Sequence, residues 1–335
     1  MNARLRATFH DRLSVDIDLS QRNGCVFSLW NRYPFNTEFS INYCEVSRPA
    51  VWSLIPTRYF DMTTWEISKK LWRAFGAISM RPIEFAKYCL PFGDSGRQGH
   101  VAKRYGLGEG LPTVDLLDLF GSFDECVRPY AYLEGGSTTI DLALLRAFAR
   151  RYDGCRYLEI GGWRGESVAN VAAVARECIS LSLSEEEMRK QGWGEAYLAT
   201  ARHYSARLEN VIHLGHDSKT FDFSPYYGKC DLVFIDGDHS YDGVRSDTEN
   251  AFRLLRNDRS VIVWHDYRRT PESDIHWELF AAMLDGAPRE AVRQFYHVSN
   301  TLCAIYIKEW LPINATAFPA MPNKEFEVHI RVRRY

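Results

Sequence analysis

Leu158-Glu159-Ile160-Gly161-Gly162-Trp163-Arg164-Gly165-Glu166-Ser167 turns an apolar strand into a small-residue helix through glycines at 161, 162 and 165. The strand is Arg156 to Ile160, and the helix runs from Glu166 to Arg176. Gly161 and Gly165 let the backbone approach a ligand closely, and Glu159 stands where the strand's carboxyl end opens into the crevice of an α/β sheet. A nicotinamide fingerprint needs G-x-G-x-x-G to bring a pyrophosphate onto the helix N-terminus, and that spacing is absent. Taken alone, the turn indicates only a nucleotide-like ligand.

Its neighbours sharpen that reading. Short β-branched runs alternate with amphipathic stretches from Cys155 onward, the rhythm of βαβ units around a parallel sheet. A second strand is expected over Cys178–Leu183, and a helical stretch over Glu185–Leu208 is interrupted at Gly192-Trp193-Gly194. Third and fourth strands follow at Val211–Leu214 and Asp231–Ile235. Then come a helix over Tyr241–Leu255, a fifth strand at Val261–Trp264 and a helix over Ser273–Leu284. The last two strands, Phe295–Val298 and Leu302–Ile307, are separated only by Ser299-Asn300-Thr301, which is too short for a parallel crossover. The result is an α/β, Rossmann-like sheet of five parallel strands closed by an antiparallel hairpin. Three polar strand ends then share one edge: the acid-bearing glycine turn, Gly215-His216-Asp217-Ser218 and Asp236.

This combination resembles the class I S-adenosylmethionine-dependent methyltransferases. It is similar to the group whose first motif reads glycine, small residue, tryptophan, any, glycine, any, serine, here Gly161, Gly162, Trp163, Gly165 and Ser167. The resemblance covers roughly residues 135–308. It implies that Glu159, Gly161 and Gly165 line the methionine and ribose of S-adenosylmethionine, with Asp217 and Ser218 near the adenine. That family usually ends its second strand with an acid for the ribose hydroxyls, whereas this chain has Leu183-Ser184-Glu185. Glu185 is either that acid displaced by one turn or a solvated first-turn residue favoured by the helix dipole.

The run Phe234-Ile235-Asp236-Gly237-Asp238-His239-Ser240-Tyr241 ends the fourth strand at the same edge. Methyl transfer to oxygen removes the hydroxyl proton as the new bond forms, and a histidine near neutral pKa suits that task. His239 is the candidate base, with Asp236 beside it. A bland reading makes Asp238 a helix cap and His239 a surface residue. After the fifth strand, Trp264-His265-Asp266-Tyr267 adds a second acid. Asp236, His265 and Asp266 therefore form the candidate metal set. The pattern resembles metal-dependent sugar O-methyltransferases and cephalosporin-hydroxylase-like proteins, which carry an acidic pair where this chain has His265-Asp266. The implied ion is magnesium or manganese, and a histidine ligand suits a transition ion better. Without a metal, Asp266 caps the following loop. His216 is a turn residue, and His276 and His297 are packing positions.

The expected activity is O-methylation of a hydroxyl on a small molecule or sugar-containing metabolite. The alternatives are a hydroxylase-like activity on the same fold, or a non-catalytic S-adenosylmethionine-binding or assembly protein.

The 335 residues exceed what one core comfortably organises, so more than one unit is expected: 1–134, 135–310, and a C-terminal extension over 311–335. The first stretch is an aromatic-rich α+β region holding Trp30, Trp52, Trp65 and Trp72, and its expected role is substrate binding, a lid or oligomerisation. Helices are expected at Asp61–Ala77 and Arg81–Leu90, and a glycine-rich loop or lid at Gly93–Gly110. The tail Glu325–Arg333 alternates as a half-exposed strand, expected to pair with the N-terminal region or with another subunit. A formal charge of -2 excludes a polyanion-binding class, so Arg331 to Arg334 reads as a solvated end and no nucleic-acid partner is expected. Charges interrupt the N-terminus, and no apolar run spans a bilayer, so a cytoplasmic protein with no membrane partner is expected, as a monomer or homo-oligomer. The eight cysteines lack CxxC spacing and read as reduced.

Overall fold

In the computed structural model the described residues are 4–9, 13–18, 26–31, 39–42, 92–314 and 321–334. The chain forms two units, residues 1–80 and 81–335. In the first, strands β1 (Arg4–Phe9), β2 (Leu13–Asp18), β3 (Val26–Asn31) and β4 (Phe39–Asn42) make an antiparallel meander in that order. The helices expected at 61–77 and 81–90 lie outside the described residues.

The second unit begins with a correction. Helix α1 (Phe92–Tyr105) occupies most of the stretch expected as a loop. Its glycines weaken helix propensity, but Val101 is fully buried in the core and the helix end is tied down. Tyr105 Oη donates to Asp285 at 2.6 Å, and His100 Nε2 lies 2.7 Å from the same carboxylate. Tertiary packing here overrides local preference.

Next in the chain are β5 (Thr113–Val114), α2 (Leu116–Phe120), α3 (Thr139–Arg150), β6 (Arg156–Ile160), α4 (Glu166–Ala172) and β7 (Glu177–Ser182). They are followed by α5 (Glu185–Lys190), α6 (Glu195–Leu198), β8 (Val211–Gly215), β9 (Leu232–Ile235) and α7 (Tyr241–Leu254). The last elements are β10 (Val261–Trp264), α8 (Trp277–Gly286), β11 (Phe295–Val298) and β12 (Ala304–Tyr306).

One eight-stranded sheet results, in the order β5-β11-β12-β10-β9-β6-β7-β8. The run from β10 to β8 is parallel, and β12 pairs antiparallel with both β10 and β11. The five parallel strands and terminal hairpin are as expected. Added to them is β5, parallel to β11, too short for any periodic signal in the sequence. This strand and α1 belong to the unit that runs from residue 81.

Alternation along the strands builds two cores. Leu158, Ile160, Val233, Ile235, Ile262 and Trp264 face one core with α7 and α8, while Tyr157, Leu232, Phe234, Val261 and Val263 face the other with α3 and α4. Helix α4 stops at Ala172, earlier than expected, and α8 starts at Trp277, later than expected. The break at Gly192–Gly194 separates α5 from α6, and beyond α6 the chain continues in turns instead of a helix to Leu208.

Within the described residues of this single chain, 321–334 form no strand and are largely exposed. Lys324 Nζ and Asn323 Nδ2 reach Asp115 and hold the start of this segment. Among the described residues no helix is long and apolar enough to cross a membrane. Cys155, Cys178, Cys230 and Cys303 are buried free thiols and Cys126 is an exposed one.

Candidate active site

Strand β6 has β7 on one side and β9 on the other, so the winding direction reverses there. Such a switch point leaves a crevice outside the carboxyl ends of the strands. The glycine loop lies across it. At Gly161 φ is +103°, and a Cβ would sit 2.0 Å from the Asp236 carbonyl oxygen, so the loop after β6 lies directly against the end of β9. At Gly165 φ is +79°, and a Cβ would sit 2.2 Å from Ser205 Oγ. Both positions demand glycine for conformation and for space.

Glu159, the acid read as lining the cofactor, stands at the carboxyl end of β6. It is 0% exposed and lies under the loop, where a Cβ on Gly162 would be 2.5 Å from its Oε1. The hydroxyls of Ser167 (2.7 Å), Ser180 (2.7 Å) and Tyr157 (2.9 Å) donate to its carboxylate. Burial raises its pKa to about 7, against the pull of those three hydrogen bonds. Glu159 and Ser167 thus brace the loop from beneath. Trp163 likewise faces protein: its ring stacks on Tyr197 at 4.8 Å, its Nε1 donates to Thr200 at 2.9 Å, and the Arg164 guanidinium lies 4.2 Å over it.

At the third strand's end, Asp217 accepts from Lys219 N at 3.0 Å, and its own N–H donates to Glu187 at 3.2 Å. Asp217 and Ser218 are both half-buried beside the crevice. Glu185 is not brought there. Its side chain is 69% exposed and pairs with Arg189 at 3.1 Å, the solvated first-turn alternative, while Glu187 completes a capping box with Ser184. Burial raises the pKa of Asp247, on α7, to about 7, against the pull of the nearby Ser218 hydroxyl. A Cβ on Gly237 would lie 3.6 Å from Asp247 Oδ2. Sequence reasoning missed Asp247. Its signal was a charge on the stripe of Val244, Ala251 and Leu254 that α7 buries.

The polar cluster stands at the ends of β9 and β10. His265 Nδ1 is 3.2 Å from Asp236 Oδ1 and 3.2 Å from Asp266 Oδ1. His239 Nε2 is 3.2 Å from Asp266 Oδ2 and 3.9 Å from Asp236 Oδ1. The structure therefore joins all four residues singled out from the sequence, Asp236, His239, His265 and Asp266. Asp266 has φ +55°, a left-handed conformation uncommon outside glycine and met in strained, functional segments. Asp238 accepts from Ser240 N at 2.9 Å and Ser240 Oγ at 2.8 Å, steadying the residue that caps α7.

The electrostatics follow from burial and charge. Asp236 is held down at about 2: burial alone would raise it, but His265 and His239 more than offset that. His239 is pushed above its usual value, first by its contact with Asp236. Burial disfavours a charged His265, yet Asp236, Asp141 and Asp266 raise its pKa well above normal. His297, predicted as packing, is buried against Thr113 and Thr301, and burial drops its pKa to about 3.

Two partners of the cluster had no signal that named their role. Ser137 Oγ lies 3.5 Å from Asp236 Oδ2. Asp141, fully buried in the first turn of α3, accepts from His265 Nε2 at 3.2 Å. Asp236, His265 and Asp266 together fit a divalent ion, because the buried Nδ1 of His265 has no hydrogen-bond partner although two carboxylate oxygens stand close to it.

A family model described as a methyltransferase domain matches residues 158–267, from β6 through Asp266. No curated protein matches the chain. Among solved structures, Rv0187 from MTB in cofactor-bound form is 20% identical, covering 53% of this chain and 84% of that one at a TM-score of 0.37. A protein provisionally named a caffeoyl-CoA O-methyltransferase, from Staphylococcus aureus, is 14% identical over 52% of this chain and 85% of that one, with a TM-score of 0.36. An amino pentose methyltransferase of calicheamicin biosynthesis from Micromonospora echinaspora is 23% identical over 38% and 48%, with a TM-score of 0.27. Several of the matching solved chains are covered over only 28–53% of their own length.

Proposed function

We propose that this protein is an S-adenosylmethionine-dependent O-methyltransferase acting on a hydroxyl of a small molecule or sugar-containing metabolite, with His239 as general base. The observation that carries the reading is the contact between the two halves of the site. Gly161 packs against the backbone of Asp236, so the loop read as the methyl-donor site adjoins the acid–histidine cluster. The family match over 158–267 spans both halves.

His239 is half-exposed, as a base that must reach an incoming acceptor requires, and Asp266 orients its ring through the 3.2 Å contact. The donor contributes a methyl group on a positively charged sulfur. As the acceptor oxygen bonds to that carbon the carbon–sulfur bond breaks, and His239 takes the hydroxyl proton. Positioning the two reactants supplies much of the acceleration. A divalent ion held by Asp236, His265 and Asp266 would act as a Lewis acid on the acceptor hydroxyl.

Calorimetry with S-adenosylhomocysteine, with and without manganese or magnesium, tests the cofactor assignment. Absence of binding in every condition would sink it. His239→Ala is expected to bind S-adenosylhomocysteine normally while methyl transfer falls about 100-fold or more. An unchanged transfer rate would remove His239 as the base.

A further inference from the structure

His265 offers its two ring nitrogens to different surroundings. Nε2 is in hydrogen-bond geometry with Asp141 Oδ2 at 3.2 Å, whereas buried Nδ1 has no hydrogen-bond partner. Asp141 is itself held. Its Oδ2 also accepts from Thr138 N at 2.8 Å and Thr138 Oγ1 at 2.6 Å, and its Oδ1 accepts from Leu302 N at 3.0 Å and the Cys303 thiol at 3.5 Å. A carboxylate fixed by the start of α3 and by the β11–β12 turn has no freedom to follow a rotating imidazole. It therefore sets the ring: Nε2 donates to Asp141, and Nδ1 faces Asp236 and Asp266, where a bound cation would take the place of its proton.

We propose that Asp141 is a positioning residue of a carboxylate–histidine–metal arrangement, fixing His265 as an Nδ1 ligand and so favouring a transition ion such as manganese over magnesium at this site. Histidine ligands are commonly oriented by such an outer carboxylate, and imidazole suits manganese better than it suits magnesium, which prefers oxygen. The inference rests on the metal-assisted reading of the site.

The test is manganese and magnesium binding by the full-length protein, with pulsed EPR of bound manganese reporting a directly coordinated nitrogen and S-adenosylhomocysteine calorimetry run in parallel. Wild type is expected to bind manganese more tightly than magnesium and to show the nitrogen coupling. Asp141→Asn should weaken manganese roughly 10- to 100-fold and reduce the coupling, while magnesium affinity changes little. In a His265→Asn background, Asp141→Asn should have no further effect. Asp285→Asn, which loosens the anchor of α1 without touching Asp141 or His265, guards against a purely structural role and should leave the manganese preference intact. Nitrogen coupling unchanged in Asp141→Asn would overturn the inference, as would equal losses in Asp285→Asn. Wild type that binds S-adenosylhomocysteine but no manganese would overturn it and leave the methyl-donor reading standing. Loss of both would overturn both.

Discussion

Glu159 is a carboxyl group placed where water does not reach, and its protonation couples stability to pH. Its folded-state pKa of about 7 lies above the ordinary 4.5, so between those values the folded protein keeps a proton that the unfolded chain has released. The stability from this group is complete below about pH 4.5 and is lost as pH rises through about 7. Relative to Glu159→Gln, the wild type is expected to lose up to about 3 kcal/mol between pH 4.5 and pH 8, as measured by urea denaturation across that range. A stability difference that does not vary with pH would exclude this account. The surroundings of this residue were only partly legible in the sequence. An acid at the end of the first strand was legible, but whether its side chain faces ligand or lies under the loop depends on Ser180, contributed by the neighbouring strand. Glu185 shows the same ambiguity, settled by Arg189 one turn later in its own helix.

At the scale of elements, α1 is the clearest case of packing overruling propensity. Three glycines fall within it, and a Cβ added at Gly96 or Gly99 meets nothing within 4 Å. Those two glycines therefore weaken the helix with no steric return. Gly96→Ala and Gly99→Ala are each expected to stabilise the protein by about 0.5–1 kcal/mol, seen as a rise of a few degrees in melting temperature. A fall would mean that the segment works in an unwound form, as the lid expected from its glycines. Asp285 explains why the helix persists: Tyr105 and His100 of α1 and Tyr241 of α7 all converge on that one carboxylate at the end of α8. Nothing in the local composition of 93–110 announces a partner nearly two hundred residues away. The central strands were legible for the opposite reason. They are buried on both faces, so the burial requirement is written as unbroken apolar runs.

For the whole molecule, the division at residue 80 predicts that a chain beginning at Arg81 retains the eight-stranded sheet and both cores. Such a chain is expected to unfold in one cooperative urea transition. A broad, non-cooperative loss of structure would show that the larger unit depends on the first 80 residues. Topology at this scale is also what assembles the site. Asp236 and His265 directly follow two strands paired in parallel register, Trp264 opposite Ile235, so they emerge side by side. Asp141 comes from the first turn of a helix more than ninety residues earlier in the chain and closes the cluster from the other core.

The amino-acid sequence by itself determined the five parallel strands, the antiparallel hairpin forced by a three-residue connection, the glycine loop, and the quartet of Asp236, His239, His265 and Asp266. Each is specified by period, spacing or residue type within one short stretch. Only the tertiary structure decided that Glu159 lies under the loop, that α1 is a helix, and that Asp141 stands behind His265. These outcomes depend on which distant groups meet, because a buried charge or a weak helix takes its free energy from neighbours supplied by remote parts of the chain.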